Sequence, residues 1–288
     1  MNNNNSNNNF EINGFTRIVW KNQKSKDEWN NKLIKVTDLY NKLEFETLKR
    51  DVRRACTIHV NMNNLGNIIN KLNKEDMIFT PITKSASYQG FSHKHIVPKP
   101  DQPSHWYGCV TKNIEDAEAF KIASNSNNND DTHIPIGELL GFPKCCSRRF
   151  TEIWKTGNYD GMFEIAKETT DSELKEYNNK IVCTINDIDK YSITSPLLRY
   201  FGIRIISHFP CQLKCNKSLD VANKWLDIMY DIDNDTAGWL VDILGQIETW
   251  DSLNGVVEVH TPHFVGITHT YPLLNKNRII KIKDKYKK

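Results

Sequence analysis

The chain has 288 residues, with 38 lysines and arginines against 35 aspartates and glutamates, so its formal net charge is +3. A charge this small does not imply a nucleic-acid or membrane partner. Hydrophobic residues make up 39% of the chain and aromatic residues 10%, which excludes wholesale disorder and is enough to build a core.

The sequence predicts neither a membrane segment nor an export signal. No apolar stretch approaches the ~20 residues that a membrane-spanning helix needs. Residues 1–9 are almost all asparagine and lack the basic and apolar regions of a secretory signal. Seven cysteines, an odd number, fit a reducing compartment better than a disulfide framework. We therefore predict a cytoplasmic protein.

The first part of the chain is predicted to be mainly helical. Residues 15–20 predict a strand, and residues 25–43 carry an apolar stripe that predicts an amphipathic helix. Residues 65–72 predict a second, shorter helix. Residues 85–103 are rich in His, Pro, Ser and Lys without periodicity, which is typical of a linker or long loop and suggests a domain boundary.

The second part mixes helices with strands. Its predicted elements are a helix at 114–123 capped by Asn113, a helix at 136–154 broken at Gly141-Phe-Pro143, a β-rich run at 202–208, a helix with an apolar stripe at 221–229, and strands at 256–260 and 264–270. The fold class is therefore α+β or α/β, with mixed helices and a small sheet of unknown topology. The predicted domains are a disordered Asn-rich tail at 1–12, a helical N-terminal region at 13–100, a Cys/His-containing α/β core at 101–276 and a basic tail at 277–288.

The first candidate site begins at Pro143 and includes the pair Cys145 and Cys146. Proline is favoured in the first turn of a helix, so a helix start at Pro143 would place both cysteines in that turn. Backbone N–H groups and the helix dipole favour anions there, which acidifies a thiol. Adjacent cysteines bridge poorly to each other and are better suited to metal binding or to pairing with distant cysteines. Arg148 and Arg149 follow directly and are candidate cofactor-binding residues.

The second candidate site is the segment from His208 to Cys215. Pro210 again predicts a helix start, with Cys211 in its first turn. Cys215 lies four residues further on and would share a helical face with Cys211. His208 ends the β-rich run, and strand-to-helix junctions of this kind bind ligands in α/β folds.

The two sites together supply four thiols, which we call the four site cysteines: Cys145, Cys146, Cys211 and Cys215. Four thiolates saturate a tetrahedral zinc ion or an iron–sulfur cluster, so we predict that the two pairs meet in space and hold one of these cofactors. Their spacing is not CxxC…CxxC, and buried cysteines also occur as small apolar residues. The other three, called here the lone cysteines, are predicted to be core residues: Cys56, Cys109 and Cys183.

A third candidate is the segment Glu258-Val-His260-Thr-Pro-His263. In an alternating strand Glu258 and His260 share one face. Histidines at this spacing act as metal ligands or general bases, although they also occur as polar residues of a solvated face. The candidate catalytic residues are therefore His208, His260 and His263.

Three segments resemble motifs of an uncharacterised microbial family, a domain of unknown function. They are residues 136–150 (IGELLGFPKCCSRRF), 208–215 (HFPCQLKC) and 250–264 (WDSLNGVVEVHTPHF). The resemblance covers roughly residues 100–270, and the cysteine motifs are its most specific part. It implies that the three segments belong to one domain, and it implies no activity.

Three functions are open at this point. The first is a metalloprotein with zinc or an iron–sulfur cluster on the four site cysteines, and an enzyme if the metal keeps an open position beside one of the histidines. The second is a metal-free thiol enzyme that uses Cys211 or Cys146 as its nucleophile or redox group beside the arginines. The third is a non-catalytic binding module whose cysteines are core residues or structural zinc ligands. The substrate, whether a small molecule or a macromolecule, is not specified.

Overall fold

The fold was obtained as a computed structural model, which describes residues 16–20, 22–85, 98, 104–126, 133–156, 161–253, 256–261, 266–270 and 277–283. The α-helices are α1 (Gln23–Lys49), α2 (Leu65–Asn73), α3 (Ile114–Asn125), α4 (His133–Leu139), α5 (Lys144–Lys155), α6 (Met162–Lys167), α7 (Asn216–Ile232) and α8 (Asn234–Leu244). The strands are β1 (Thr16–Val19), β2 (Ala55–Asn61), β3 (Ile78–Ser85), β4 (His105–Thr111), β5 (Glu173–Tyr177), β6 (Lys180–Asn186), β7 (Thr249–Leu253), β8 (Val256–His260), β9 (Gly266–Thr270) and β10 (Arg278–Lys283). Short 3₁₀ segments lie at Met62–Asn64, Asp189–Thr194 and Arg199–Phe201. The fold is mixed α+β, which confirms the predicted class.

The strands form two sheets. The larger has seven strands in the order β1-β9-β8-β7-β10-β6-β5, and the smaller has three in the order β2-β4-β3. Neighbouring strands are antiparallel except for β10 and β6, which are parallel. Among the described residues, no helix combines the length and the apolar character that crossing a membrane requires.

Two predicted domain boundaries do not coincide with this fold. The boundary near residue 100 separates strands of one sheet, because β4 pairs with both β2 and β3. Residues 278–283, predicted as part of a basic tail, form β10 inside the larger sheet, where Ile279 and Ile280 are buried. The predicted tail at 1–12, residues 284–288 and most of the predicted linker lie outside the described residues.

The main core joins the larger sheet to helices α1, α6, α7 and α8. The predicted stripe of α1 is buried, including Trp29, Val36 and Leu39. Trp29 also packs edge-on against Trp239 of α8, with ring centroids 5.4 Å apart. Burial of a Val or Leu side chain contributes about 1.5–3 kcal/mol. The buried contacts of α1 therefore help to hold α7, and the segment that precedes it, in place. The buried face of α7, at Ala222, Trp225, Ile228 and Met229, also follows the prediction.

The helix predicted at 136–154 is broken where expected. Helix α4 ends in a turn in which Gly141 has φ +76°, a left-handed conformation that glycine adopts without steric cost. The Phe142 N–H donates to the Gly137 carbonyl at 2.7 Å, which closes the end of α4. Pro143 is then the N-cap of α5, so the first turn of this helix lies at the candidate site.

The predicted strand at 202–208 and the predicted helix start at Pro210 are both wrong. The chain between residues 202 and 215 runs through bends and turns, and α7 begins only at Asn216. Ile203, Ile205 and Ile206 are all buried, so this apolar run fills the core as irregular backbone and does not alternate between two faces.

Candidate metal centre

The four site cysteines come together although their local structures differ. Cys145 and Cys146 lie in the first turn of α5, as predicted. Cys215 is the N-cap of α7, and Cys211 lies in the turn before it. All four Sγ atoms lie within 4.8 Å of one another. The prediction that the two pairs meet in space is confirmed.

The sulfur spacing matches the geometry of a single tetrahedral ion. The Cys146 Sγ lies 3.8 Å from the Sγ of Cys145 and 3.8 Å from the Sγ of Cys215. Zinc–sulfur bonds of about 2.3 Å in a tetrahedron place the ligand sulfurs about 3.8 Å apart. Cys146 and Cys215 are buried, whereas Cys145 and Cys211 are partly exposed. The centre therefore has an inner and an outer pair of thiols.

Two helix N-termini meet at this centre, those of α5 and α7. Each helix N-terminus carries roughly half a positive charge and unpaired N–H groups, so it stabilises nearby anions. The backbone N–H of Cys211 also donates to the Cys146 Sγ at 3.3 Å. The surroundings are therefore suited to thiolates.

Without a cation the four thiols do not ionise together. Hydrogen bonds from the thiols of Cys146 and Cys211 lower the pKa of Cys215 well below its ordinary value. Hydrogen bonds with Cys211 and Cys215 raise the pKa of Cys146. The hydrogen bond with Cys146 lowers the pKa of Cys211, but the bond with Cys215 and burial together raise it to about 12. Of the thiols of Cys146, Cys211 and Cys215, that of Cys215 is therefore the one that ionises most readily.

A buried polar pair lies behind the inner thiols. The Ser218 Oγ is 3.2 Å from the Cys146 Sγ, and the His208 Nε2 is 2.9 Å from the Ser218 Oγ. The His208 ring packs against Phe142 with a centroid distance of 5.0 Å. Burial lowers the pKa of His208 to about 3, with the Cys215 thiolate raising it and Arg199 lowering it further. His208 is therefore a neutral imidazole.

Ser218 was missed by the sequence analysis. It lies three residues after the N-cap Cys215, in the first turn of α7. Residues three apart on a helix are neighbours, so a correct α7 boundary would have indicated that its hydroxyl faces the sulfurs.

The other predicted site residues lie in several places. Arg148 is exposed on α5, and Arg149 forms ion pairs with Glu152 at 3.3 Å and Glu168 at 3.1 Å. His260 lies on β8 with its Nε2 3.7 Å from Glu258, so these two side chains share a strand face as predicted. His263 lies outside the described residues. The cofactor-binding and catalytic roles of these residues stay predictions.

Searches with protein-family models, among curated proteins and among solved structures found no match for this chain. The resemblance to an uncharacterised family therefore stays a prediction, and the interpretation of the centre depends on its own geometry.

Proposed function

We propose that this protein is a zinc-binding protein that holds one Zn²⁺ ion on the four site cysteines. The observation that carries the proposal is the mutual spacing of the four Sγ atoms, all within 4.8 Å. This spacing is close enough for all four sulfurs to bind one zinc ion, and thiolates are common ligands of zinc in closed structural sites.

The same spacing favours a single ion over an iron–sulfur cluster. In a cluster the cysteines bind different iron atoms with bridging sulfides between them, so some ligand sulfurs lie much further apart than around one ion. All four Sγ atoms lie within 4.8 Å of one another, so that inorganic core would fit between them only if α5 and α7 moved apart. Zinc is the metal that tetrahedral sulfur sites of one ion most commonly hold.

Charge balance supports the same conclusion. Four thiols in mutual contact cannot all ionise without a counter-charge, because adjacent thiolates repel one another. A divalent cation relieves this repulsion, because each thiolate then contacts positive charge and not only other sulfurs. The metal-free thiol enzyme is less well supported, since the pKa values of both of its candidate nucleophiles, Cys146 and Cys211, are raised in the metal-free centre.

A closed centre of four thiolates implies a structural role. Four protein ligands fill the tetrahedron, whereas a catalytic zinc site keeps a position open for water or substrate. The ion would join the start of α5 to the start of α7, two helices that the chain connects through residues 156–215. Binding at such a site stabilises the folded state directly.

Elemental analysis of the purified full-length protein tests the proposal. We expect one zinc per chain, no visible absorbance, and loss of zinc in the Cys146→Ser and Cys211→Ser variants. Cys183→Ala is the matched control, because it removes a buried thiol from β6 and should retain one zinc per chain. If protein purified anaerobically absorbs visible light and contains several iron atoms per chain, the cofactor is an iron–sulfur cluster and not zinc. Protein that binds neither metal after reconstitution would refute the proposal.

A further inference from the structure

Ser218 and His208 form a buried hydrogen-bonded chain that ends on one of the site sulfurs. The Ser218 side chain is fully buried, and the relative exposure of His208 is 6%. The contacts run from the Cys146 Sγ to the Ser218 Oγ at 3.2 Å and from there to the His208 Nε2 at 2.9 Å. Because neither group is exposed to solvent, neither can contact a ligand from solution. The hydrogen-bonded pair can therefore affect the metal centre but no external partner.

When Cys146 is a thiolate, the number of available protons determines which group donates in each of these two hydrogen bonds. A metal-bound thiolate carries no proton, so its contact with Ser218 must use the single hydroxyl proton of the serine. The Ser218 oxygen is then left as an acceptor, and the His208 Nε2 must carry the proton that it donates. The imidazole therefore carries a hydrogen on Nε2.

The other ring nitrogen agrees with this assignment. The His208 Nδ1 is buried and has no hydrogen-bond partner among the described residues. Buried N–H groups without a partner are rarer in folded proteins than buried acceptors that lack one. The tautomer with its hydrogen on Nε2 and none on Nδ1 is therefore favoured. In this tautomer the His208 Nε2 donates to the Ser218 oxygen, so the Ser218 hydroxyl can donate its own proton to the sulfur.

We infer that Ser218 and His208 are positioning residues of the metal centre: His208 orients the Ser218 hydroxyl, which donates to the Cys146 thiolate. This inference rests on the proposed zinc site. It replaces the catalytic role predicted for His208 with a role in holding the metal. A donor to a zinc-bound thiolate offsets part of its negative charge, and outer-shell partners of this kind change metal affinity by about 10–100-fold.

Two matched pairs of variants test the inference by zinc competition with a chromogenic chelator. Ser218→Ala should lower zinc affinity by about 10–100-fold. Ser147→Ala is its control, because the Ser147 Oγ is also buried, follows Cys146 directly and has no hydrogen-bond partner among the described residues. We expect its zinc affinity to equal that of the wild type. His208→Gln retains an N–H donor and should keep more of the affinity than His208→Leu.

Cobalt substitution separates a hydrogen bond to sulfur from simple packing. Loss of the donor should shift the sulfur-to-cobalt charge-transfer band in Ser218→Ala but not in Ser147→Ala. Wild-type zinc affinity and an unshifted band in Ser218→Ala would overturn the inference while the zinc site itself stands. If Ser218→Ala does not fold, equal affinities of the two His208 variants would overturn it. A wild type that binds no zinc would remove the proposed function itself.

Discussion

The turn that positions α5 beside the four site cysteines can be tested by adding one methyl group at Gly141. Gly141 has φ +76°, and a Cβ built there would lie 3.0 Å from the Arg53 Cβ and 3.1 Å from the Val52 carbonyl oxygen. Arg53 cannot move away easily, because its side chain is buried and its Nη2 donates to the Glu44 carbonyl at 2.8 Å. The methyl group therefore meets both an unfavourable backbone conformation and a fixed neighbour.

Gly202→Ala isolates the backbone part of this cost. Gly202 has nearly the same conformation, with φ +79°, but a Cβ there would meet no atom within 4 Å. The left-handed conformation costs about 1–2 kcal/mol for alanine. The reduced freedom of the unfolded chain offsets about 0.4–1 kcal/mol of that cost. We therefore expect Gly202→Ala to lose roughly 1 kcal/mol of unfolding free energy.

Gly141→Ala should lose more, since overpacking against fixed atoms adds typically 1–3 kcal/mol. The measurement is urea unfolding of both variants and the wild type, followed by circular dichroism, with equal m-values required for the comparison. If the two variants lose the same free energy, Arg53 and Val52 give way to the methyl group and the reasoning is wrong. If Gly202→Ala loses nothing, the conformational part of the argument fails.

Three further predictions follow from the structure. Hydrogen bonds from Thr236 lower the pKa of Asp233, the N-cap of α8. The charged carboxylate therefore stabilises the folded state fully at pH values above the ordinary pKa of Asp, and this stabilisation is lost as the pH falls through the lower pKa of the folded state. The unfolding free energy of Asp233→Asn should therefore fall less than that of the wild type between pH 6 and pH 3 in urea titrations, and parallel curves would contradict this. Gly238→Ala, inside α8 with no atom within 4 Å of the new Cβ, should raise the unfolding free energy by about 0.5–1 kcal/mol, and a loss would show that the helix needs glycine there. In metal-free native protein, iodoacetamide should modify Cys145 and Cys211 before the lone cysteines, because the first two are partly exposed and the lone cysteines are buried out of reach of the reagent; peptide mass spectrometry showing the reverse order would refute this.

The helix start that carries Cys145 and Cys146 was predictable because the residues that indicate it lie close together in the sequence. Pro143 and the glycine before it specify a helix start within a few residues, and Cys145 and Cys146 occupy the predicted turn. The amphipathic stripe of α1 was equally clear, since Trp29 and Val36 repeat at helical spacing and are buried.

The cysteines of the second half of the metal centre were predicted, but the backbone conformation of this half was not predictable, because distant residues hold it. The Leu213 N–H donates to the Thr169 Oγ1 at 2.9 Å, and the Thr170 N–H donates to the Gln212 side chain at 2.9 Å. These bonds keep the backbone around Cys211 in a turn, although Pro210 alone favours a helix start. No pattern within the segment indicates that such partners exist.

The error at β10 has a different cause. Its lysines dominated the composition, so the segment was assigned to a solvated tail. Ile279 and Ile280 are both buried, whereas Lys281 and Lys283 are exposed, so the isoleucines of this strand pack in the core and these two lysines face solvent. The isoleucines were therefore the better signal, and the lysine content was misleading.

The position of β10 also bears on how the protein is made. It follows every other strand in the sequence, yet it lies between β7 and β6 and joins the β5–β6 hairpin to the other strands of the larger sheet. Until residues 278–283 leave the ribosome, β6 and β7 each present an open edge that can pair with another chain. The pairing of Cys183 with Ile280 also spans a long stretch of sequence, and such contacts form slowly. We expect newly synthesised chains to depend on chaperones during this interval, and to aggregate when synthesis stops before β10.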